Sequence, residues 1–292
     1  MRLALIFDRT RPDTTGIYFE RAFRQVGVEV EHWWLRDVAK IPPTSALYLR
    51  IDHGDDYNVA LPESLRPSAF YAIDTHLSHS WRKIKRTASR YDVVVCAQRT
   101  AAERLRGAWV TFGCDPEFHR AVEPVREERD IAFIGTDGGA PRKFYLQALR
   151  ERFPNSVIGP APHRQLGALY SRAKIGFNYA IADDVNMRVF EVLGAGACLV
   201  TNALRQDDLA RLGLADRQHL ALYRSPGHLL EVLQELLTHG DERRRIARAG
   251  CEAAWRCHTY AHRVRELFRV FEERLGVRIP TPAASHSGVA VE

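Results

Sequence analysis

The sequence alternates short apolar runs with amphipathic segments along most of its length. RLALIF (2–7) is typical of a buried strand, and TGIYFERAFRQVG (15–27) has apolar residues at helical spacing and ends on glycine. The same pattern predicts strands at 28–35, 46–51, 69–74, 91–97 and 108–113, with helices at 79–90 and 99–107. Strands that alternate with helices predict a parallel sheet covered by helices on both faces.

Residues 114–129 interrupt this alternation. The segment CDPEFHRAVEPVREER contains two prolines and many charges but no period, and we interpret it as a linker. Beyond it, strands are predicted at 130–135, 155–160, 174–180, 197–202 and 218–223, and helices at 142–153, 163–173, 187–195 and 225–239, with two more up to Leu275. The sequence therefore predicts two α/β domains in tandem, in which ligands bind at the carboxyl ends of the strands.

Composition narrows the class of protein. The 292 residues are 46% hydrophobic, and no apolar run approaches the roughly 18 residues of a membrane span. The apolar run near the N-terminus is too short for a signal peptide. The five cysteines are scattered without a C-x-x-C pair, which favours a reduced, cytoplasmic location. The net charge of +6 suits an anionic small substrate, a membrane surface or nucleic acid, or reflects only arginine usage in a GC-rich genome.

A glycine-rich segment follows the predicted strand at 130–135. Gly135 ends that strand, and Gly138 and Gly139 lead to a helix whose first turn contains Arg142 and Lys143. Free backbone N–H groups at such a turn bind anions, and a bound anion would offset the unfavourable position of cations in a first helical turn. The alternative is an ordinary glycine-rich connection, since the segment matches neither the dinucleotide nor the Walker pattern.

A second candidate lies in DDVNMRVFEVLGAGACLVTN (183–202). A helix over 187–195 would place Arg188 and Glu191 on one face, with Asp184 four residues before the arginine. A surface ion pair is one explanation. However, the intervening residues are apolar, so the helix is predicted to be buried and its charges to meet a ligand. A carboxylate accepts hydrogen bonds from ribose hydroxyls, and a guanidinium pairs with a diphosphate.

These residues carry a family resemblance. NMRVFEVLGAGACLVTN resembles the nucleotide-sugar-binding segment of GT-B glycosyltransferases, and is most similar to the CgeB-like, spore-maturation type of the family-4-like group. Four other stretches resemble that family in order, namely FGCDPEFHR (112–120), DIAFIGTDGGAPRKFYLQAL (130–149), LYSRAKIGFNYA (169–180) and HTYAHRV (258–264). In the N-terminal half, IDTHLSHSW (73–81) resembles an Asp-x-His segment that faces the cleft of such enzymes.

The resemblance implies an α/β protein with the GT-B fold. Two Rossmann-like domains would face each other across a cleft, and a C-terminal helix would cross back to the N-terminal domain. Residues 1–115 would form the acceptor domain, 116–256 the nucleotide-sugar domain, 257–279 the crossing helix and 280–292 a disordered tail.

The resemblance also implies a donor site on the second domain. Glu191 would bind the ribose as the second of the family's paired glutamates, and Asp183 stands where the first is expected. Arg188, Arg142 and Lys143 would neutralise the diphosphate, and the loop 159–163 would hold the base. The candidate donor-binding residues are Gly135, Thr136, Arg142, Lys143, Gly159, His163, Asn178, Asn186, Met187, Arg188 and Glu191.

Two histidine-bearing segments follow predicted strands of the first domain. His76 or His53 could act as a general base or hydrogen-bond the donor sugar, and a structural or solvated histidine is the alternative for each. The candidate catalytic residues are His76, Asp74 and Arg188. Paired aspartates suggest a metal, but GT-B enzymes generally need none at the reaction centre, so no metal ligand is predicted.

The resulting hypothesis is a metal-independent, retaining transfer of sugar from a nucleotide-sugar donor to a saccharide, protein or small-molecule acceptor. No cofactor is predicted besides that donor, and no nucleic-acid partner. The basic segment WRKIKRTASR (81–90) leaves a peripheral membrane contact open, with a solvated face as the alternative. Two other functions stay open: a GT-B-like sugar-nucleotide epimerase, and a non-catalytic nucleotide-sugar-binding or coat-assembly protein.

Overall fold

The computed structural model describes residues 2–10, 14–54, 57–122, 126–182, 184–204 and 206–278. Asp183 and the predicted tail at 280–292 lie outside the described residues. The chain divides into two compact units, which are described separately. The first unit comprises Met1–Val110 and Arg263–Glu292, and the second comprises Thr111–His262.

The first unit is built on a six-stranded parallel sheet. Its strands are β1 (Arg2–Ile6), β2 (Glu29–Trp33), β3 (Leu47–Ile51), β4 (Ser68–Ala72), β5 (Val93–Cys96) and β6 (Ala108–Trp109), in the order β2-β1-β3-β4-β5-β6. The connecting helices are α1 (Thr15–Gln25), a 3₁₀ helix (Leu35–Lys40), α2 (Ser78–Ala88) and α3 (Arg99–Leu105). Every residue of β3 and β4 is buried, as expected for strands with helices on both faces.

The sheet order of the first unit defines where polar groups gather. From β1 the chain moves first to β2 on one side and then to β3 on the other. Loops leave in opposite directions at such a switch point and open a crevice at the carboxyl ends. Helix α1 begins there behind Thr14, whose hydroxyl accepts the Gly16 N–H at 3.4 Å. Gly16 lies against the Phe7 ring, which a Cβ at this position would overlap.

The second unit is built on a five-stranded parallel sheet. Its strands are β7 (Arg129–Ile134), β8 (Ser156–Gly159), β9 (Ala173–Asn178), β10 (Cys198–Asn202) and β11 (Ala221–Tyr223), in the order β11-β10-β9-β7-β8. Its helices are α4 (Arg142–Arg152), a 3₁₀ helix (His163–Gln165), α5 (Leu166–Ser171), α6 (Met187–Gly194), α7 (Gln206–Arg211), α8 (Pro226–Thr238) and α9 (Gly240–Cys257). The core of this unit packs apolar side chains of the strands against α4, α8 and α9.

The last helix, α10, spans Tyr260–Leu275. From Arg263 onward its residues cluster with the first unit, where Phe268 packs against Phe23 with ring centroids 5.9 Å apart. Near its end, Arg274 Nη1 donates to the Arg106 carbonyl at 3.0 Å. None of the helices in the described ranges is long and apolar enough to cross a membrane.

Candidate functional site

The predicted donor-site residues of the second unit gather where its sheet reverses direction. From β7 the chain moves to β8 on one side and then to β9 on the other, so the switch point lies between β7 and β9. The glycine-rich loop follows β7, Asn178 ends β9, and α6 begins at Met187. Three segments that are distant in the sequence therefore meet at one edge of the sheet.

Arg188 occupies this edge. Its Nε and Nη2 donate to the Ile134 carbonyl at 3.3 and 3.2 Å, and its Nη1 donates to Asn178 Oδ1 at 3.3 Å. The guanidinium carbon lies 4.4 Å from the centroid of the Phe133 ring. Within the described ranges no carboxylate forms an ion pair with Arg188, so neither Asp184 nor Glu191 neutralises it. A cation held only by neutral groups is suited to binding an anion.

Buried polar side chains fix the position of Arg188. Asn178 is fully buried, and its Nδ2 donates to Thr201 Oγ1 at 3.0 Å while its Oδ1 also accepts from Asn186 Nδ2 at 3.2 Å. The buried Tyr170 hydroxyl accepts the Ile134 N–H at 3.1 Å. Burial raises the pKa of Tyr170 to about 12, so it stays protonated. Arg188 therefore rests on a preorganised neutral network.

Two glycines of the loop leave room for the neighbouring arginine side chains. Gly135 has φ +145°, and a Cβ there would lie 2.6 Å from Arg188 Nη2. Its N–H donates to the carbonyl of Gly159, the last residue of β8, at 3.0 Å. Gly138 has φ +61°, and a Cβ there would overlap the Arg142 guanidinium. Side chains at these two positions would displace the arginines beside them.

Arg142 is the second cation at this edge. Its Nε donates to the Asp137 carbonyl at 3.0 Å, and its guanidinium carbon lies 5.7 Å from the centroid of the same Phe133 ring. Burial, followed by the positive charge of Arg188, lowers the pKa of Arg142. By contrast Thr136 and Lys143, also predicted donor residues, are exposed. An anion bound between Arg142 and Arg188 would relieve the mutual repulsion of these two arginines.

Glu191 lies further along α6 and is 6% exposed. Its Oε1 is 3.9 Å from Nε2 of His119, a fully buried residue that the sequence reasoning did not select. The Nδ1 atom of His119 accepts the Asp115 N–H at 3.0 Å, which assigns the ring proton to Nε2. Burial, assisted by His163, lowers the pKa of His119 to about 3. His119 therefore presents a neutral N–H toward the Glu191 carboxylate.

The remaining predicted donor residues lie close to this arrangement. His163 is buried, with its ring centroid 4.4 Å from that of Phe118 and 6.3 Å from that of His119. Met187 begins α6, and its Sδ accepts from the Tyr260 hydroxyl at 3.5 Å. The only sequence signal for His119 is its place in FGCDPEFHR, and for Tyr170 its place in LYSRAKIGFNYA.

The carboxyl edge of the first sheet contains the predicted acceptor-side residues. His53 follows β3, and its Nε2 lies 3.2 Å from Oδ2 of Asp8, which follows β1. Asp8 Oδ1 accepts the Leu35 N–H at 2.9 Å, and the His53 side chain is 4% exposed. The Asp8–His53 pair therefore connects the loops that follow β1 and β3.

Asp74 and His76 follow β4 at the same edge. Asp74 is half-buried, with its Oδ2 3.0 Å from where a Cβ at Gly54 would lie. His76 is exposed, while its neighbour Thr75 is buried and anchored to Gln98 Oε1 at 2.7 Å. The loop is thus fixed at Thr75 and presents His76 to solvent. The described residues contain no group of three or more His, Cys, Asp or Glu that could hold a metal ion.

Several solved structures are similar to this chain. Anabaena HepE in complex with UDP and glucose has a TM-score of 0.66 and 10% identity, over 93% of this chain and 99% of that one. An alpha-glucosyltransferase in complex with UDP and a 13-mer DNA containing an HMU base has a TM-score of 0.65 and 10% identity, over 92% and 99%. Sucrose-phosphate synthase from Thermosynechococcus elongatus has a TM-score of 0.63 and 11% identity, over 94% and 99%.

These likenesses are to GT-B glycosyltransferases and confirm the predicted fold class. The CgeB-like subtype stays a prediction. Because one of the similar structures contains DNA, the predicted exclusion of nucleic acid as a partner has no support. No curated protein matches the sequence. The family model described as "Glycosyl transferase-like" matches residues 117–269, just over half of the 292-residue chain. The chain therefore belongs to the glycosyl transferase-like family.

Proposed function

We propose that this glycosyltransferase transfers a sugar from a uridine diphosphate sugar to a hydroxyl of a saccharide, protein or small-molecule acceptor. The observation that carries this proposal is Arg188, a cation without a carboxylate partner among the described residues, held at the switch point of the second sheet beside Arg142. The nucleotide is inferred from the similar structures, since HepE is bound to UDP-glucose and T4 phage BGT to its UDP-glucose substrate.

In this proposal the diphosphate of the donor lies against Arg188 and Arg142. Breaking the bond between the sugar and the diphosphate leaves additional negative charge on the leaving group. Two fixed guanidiniums stabilise that charge without reorganising, which is the main electrostatic contribution expected of such a site. They supply positive charge that a divalent metal supplies in other enzymes, so transfer is proposed to be metal-independent.

Glu191 is proposed to accept hydrogen bonds from the ribose hydroxyls. An ionised carboxylate offers both of its oxygens as acceptors, and the neutral His119 N–H lies 3.9 Å from one of them. His163 and the loop that follows Gly159 are proposed to border the base. The donor-side residues of this proposal also include Thr136, Lys143, Asn186 and Met187. Asn186 acts through its hydrogen bond to Asn178.

On the acceptor side, His76 with Asp74 is proposed to orient or deprotonate the acceptor hydroxyl. His76 is exposed at the carboxyl edge of its sheet, so its ring is accessible to a substrate, whereas His53 is buried beside Asp8. Retention of the anomeric configuration is part of this proposal and rests on the family resemblance. The CgeB-like subtype rests on the same resemblance, whereas the proposed cytoplasmic location rests on the scattered cysteines.

The proposal is tested with a panel of UDP-, GDP- and dTDP-sugars in a thermal-shift assay, followed by product analysis. A UDP-sugar well above its dissociation constant should stabilise the protein by a few kcal/mol, and UDP release should follow. Glu191→Ala should reduce donor turnover about a hundredfold through lost hydrogen bonds to a charged group. Glu252→Ala, which changes an exposed carboxylate on α9, is the matched control.

Full turnover in Glu191→Ala would remove Glu191 from the site. A panel in which no nucleotide sugar shifts the melting temperature would contradict the whole proposal. Formation of an isomerised UDP-sugar in the absence of acceptor would show that the enzyme is an epimerase and not a transferase.

A further inference from the structure

One short stretch of the first unit holds most of the excess positive charge of the chain. Between Thr75 and Tyr91 the sequence contains five Lys or Arg residues and no Asp or Glu, against a net charge of +6 for the whole chain. The rest of the protein is therefore almost neutral. An excess confined to one element is an electrostatic feature of that surface and not a general property of the composition.

Helix α2 carries this charge on its outer face. Ser80, Ile84, Thr87 and Ala88 are buried, and Ile84 belongs to a core cluster with residues of β4 and β5. The opposite side presents four exposed cations, and a fifth follows in the turn after the helix. We name these five residues the basic face: Arg82, Lys83, Lys85, Arg86 and Arg90. No ion pair involves any of the five within the described ranges, and Arg86 instead donates to Asn58 Oδ1 at 3.2 Å.

Helix α9 provides an internal comparison. It also exposes arginines, at positions 244, 245 and 248, but Asp241, Glu242 and Glu252 share the same helix. Arg244 pairs with Asp241 at 2.6 Å. The cations of α9 thus have acids of their own element beside them, whereas those of α2 have none. Like charges three and four residues apart repel, and α2 tolerates that repulsion without local compensation.

The surroundings of the basic face define the kind of anion it fits. The helix is 11 residues long, about 16 Å, and its cations form an exposed strip along one side. The side chain that could stack on a base, Trp81, is only partly exposed and has the Arg104 guanidinium 3.9 Å above its ring. Helix α2 itself contains no Asn or Gln, the residues that pair with adenine edges. The basic face would therefore contact phosphate groups displayed on a flat anionic surface.

We propose that the basic face docks this protein on an anionic phospholipid bilayer through charge alone. Clusters of four to eight Lys or Arg on an amphipathic helix are characteristic of binding to anionic lipid headgroups. No apolar insertion accompanies it, because the apolar side of α2 is buried in the core. The exposed large hydrophobic residues among the described ranges, Val122, Phe144 and Ile181, belong to the second unit. Docking should therefore need anionic lipid and be screened by salt.

The test is co-sedimentation of the full chain with vesicles of phosphatidylcholine alone, or containing about 30% phosphatidylglycerol as the anionic lipid. The wild type should bind only the anionic vesicles, and about 0.5 M NaCl should release it by shortening the screening length. Arg82→Glu, Lys83→Glu and Arg86→Glu combined should weaken binding at least about a hundredfold, since each cation contributes roughly fivefold. The matched control combines Arg244→Glu, Arg245→Glu and Arg248→Glu, with the same change in net charge on α9.

Vesicle binding that survives the α2 substitutions, or that falls equally in the α9 control, would overturn the proposal. So would binding to phosphatidylcholine alone. Tighter binding of the wild type to a duplex DNA oligonucleotide than to anionic vesicles, lost in the α2 variant, would assign the basic face to nucleic acid instead. Far-UV circular dichroism and thermal melts of both variants separate loss of docking from loss of fold.

Discussion

The carboxyl edges of the two sheets have opposite chemistry although both sheets are parallel and both reverse direction at a switch point. In the second unit the edge holds two arginines on a neutral network, with a buried glutamate nearby. In the first unit it holds Asp8, His53, Asp74 and His76. One architecture thus supports an edge of fixed cations and an edge of carboxylates and histidines. The fold fixes where chemistry can occur, and a few side chains decide which chemistry it is.

The largest effect that can separate the two edges is expected at His76. Replacing it with Asn should lower the rate of sugar transfer about a hundredfold, because an acid–base group contributes two to four orders of magnitude, while UDP affinity stays unchanged. Transfer is measured with saturating donor and UDP affinity by calorimetry. His79→Asn, an exposed histidine on α2, is the control. Equal transfer by the His76 variant and the wild type would leave the first edge without a catalytic role.

An intermediate effect is expected at Gly135 in the second edge. Ala at this position places a Cβ 2.6 Å from Arg188 Nη2, so the guanidinium must move and UDP affinity should fall about tenfold. Gly139→Ala separates this collision from backbone strain. Gly139 also has positive φ, at +79°, but a Cβ there would meet nothing within 4 Å. If calorimetry shows the same loss of UDP affinity in both variants, Gly135 matters only for its backbone conformation.

The smallest effect on function is expected at His119, which contributes to the stability of the second unit. Its folded-state pKa of about 3 lies below the ordinary value of 6.5, so the unfolded chain binds the additional proton. The neutral ring therefore contributes fully to the free energy of unfolding above the unfolded-state pKa. This contribution is lost as the pH falls, by up to about 1.4 kcal/mol per pH unit. Urea unfolding at pH 7, 6 and 5 should show the advantage of wild type over His119→Gln shrinking toward low pH. A constant difference would mean that His119 is not a buried neutral histidine.

Much of the architecture follows from the hydrophobic pattern. Each predicted strand has a counterpart in the two sheets, because apolar runs between helices are the signature of strands buried on both faces. The pattern missed the 3₁₀ helix at Leu35–Lys40, which begins where the Leu35 N–H donates to Asp8, 27 residues away. It also missed α7, a short helix whose sequence, QDDLAR, is largely polar.

The candidate site was only partly predictable for a related reason. Arg188 and Glu191 stand out because charges are rare within an apolar helix. Their partners lie far along the chain: the Ile134 carbonyl is 54 residues from Arg188, and His119 precedes Glu191 by 72 residues. That neither Asp184 nor Glu191 forms an ion pair with Arg188 depends on side-chain direction, which spacing alone does not determine.

The edge beside β7 and β9 is proposed to bind a diphosphate through Arg188. Calorimetric titration of UDP and of uridine into wild type and Arg188→Ala tests it most directly, since the two ligands differ only in the diphosphate. In the wild type UDP should bind about a hundredfold more tightly than uridine, and in Arg188→Ala the ratio should fall to about tenfold or less. An unchanged ratio in a folded Arg188→Ala variant would contradict the claim.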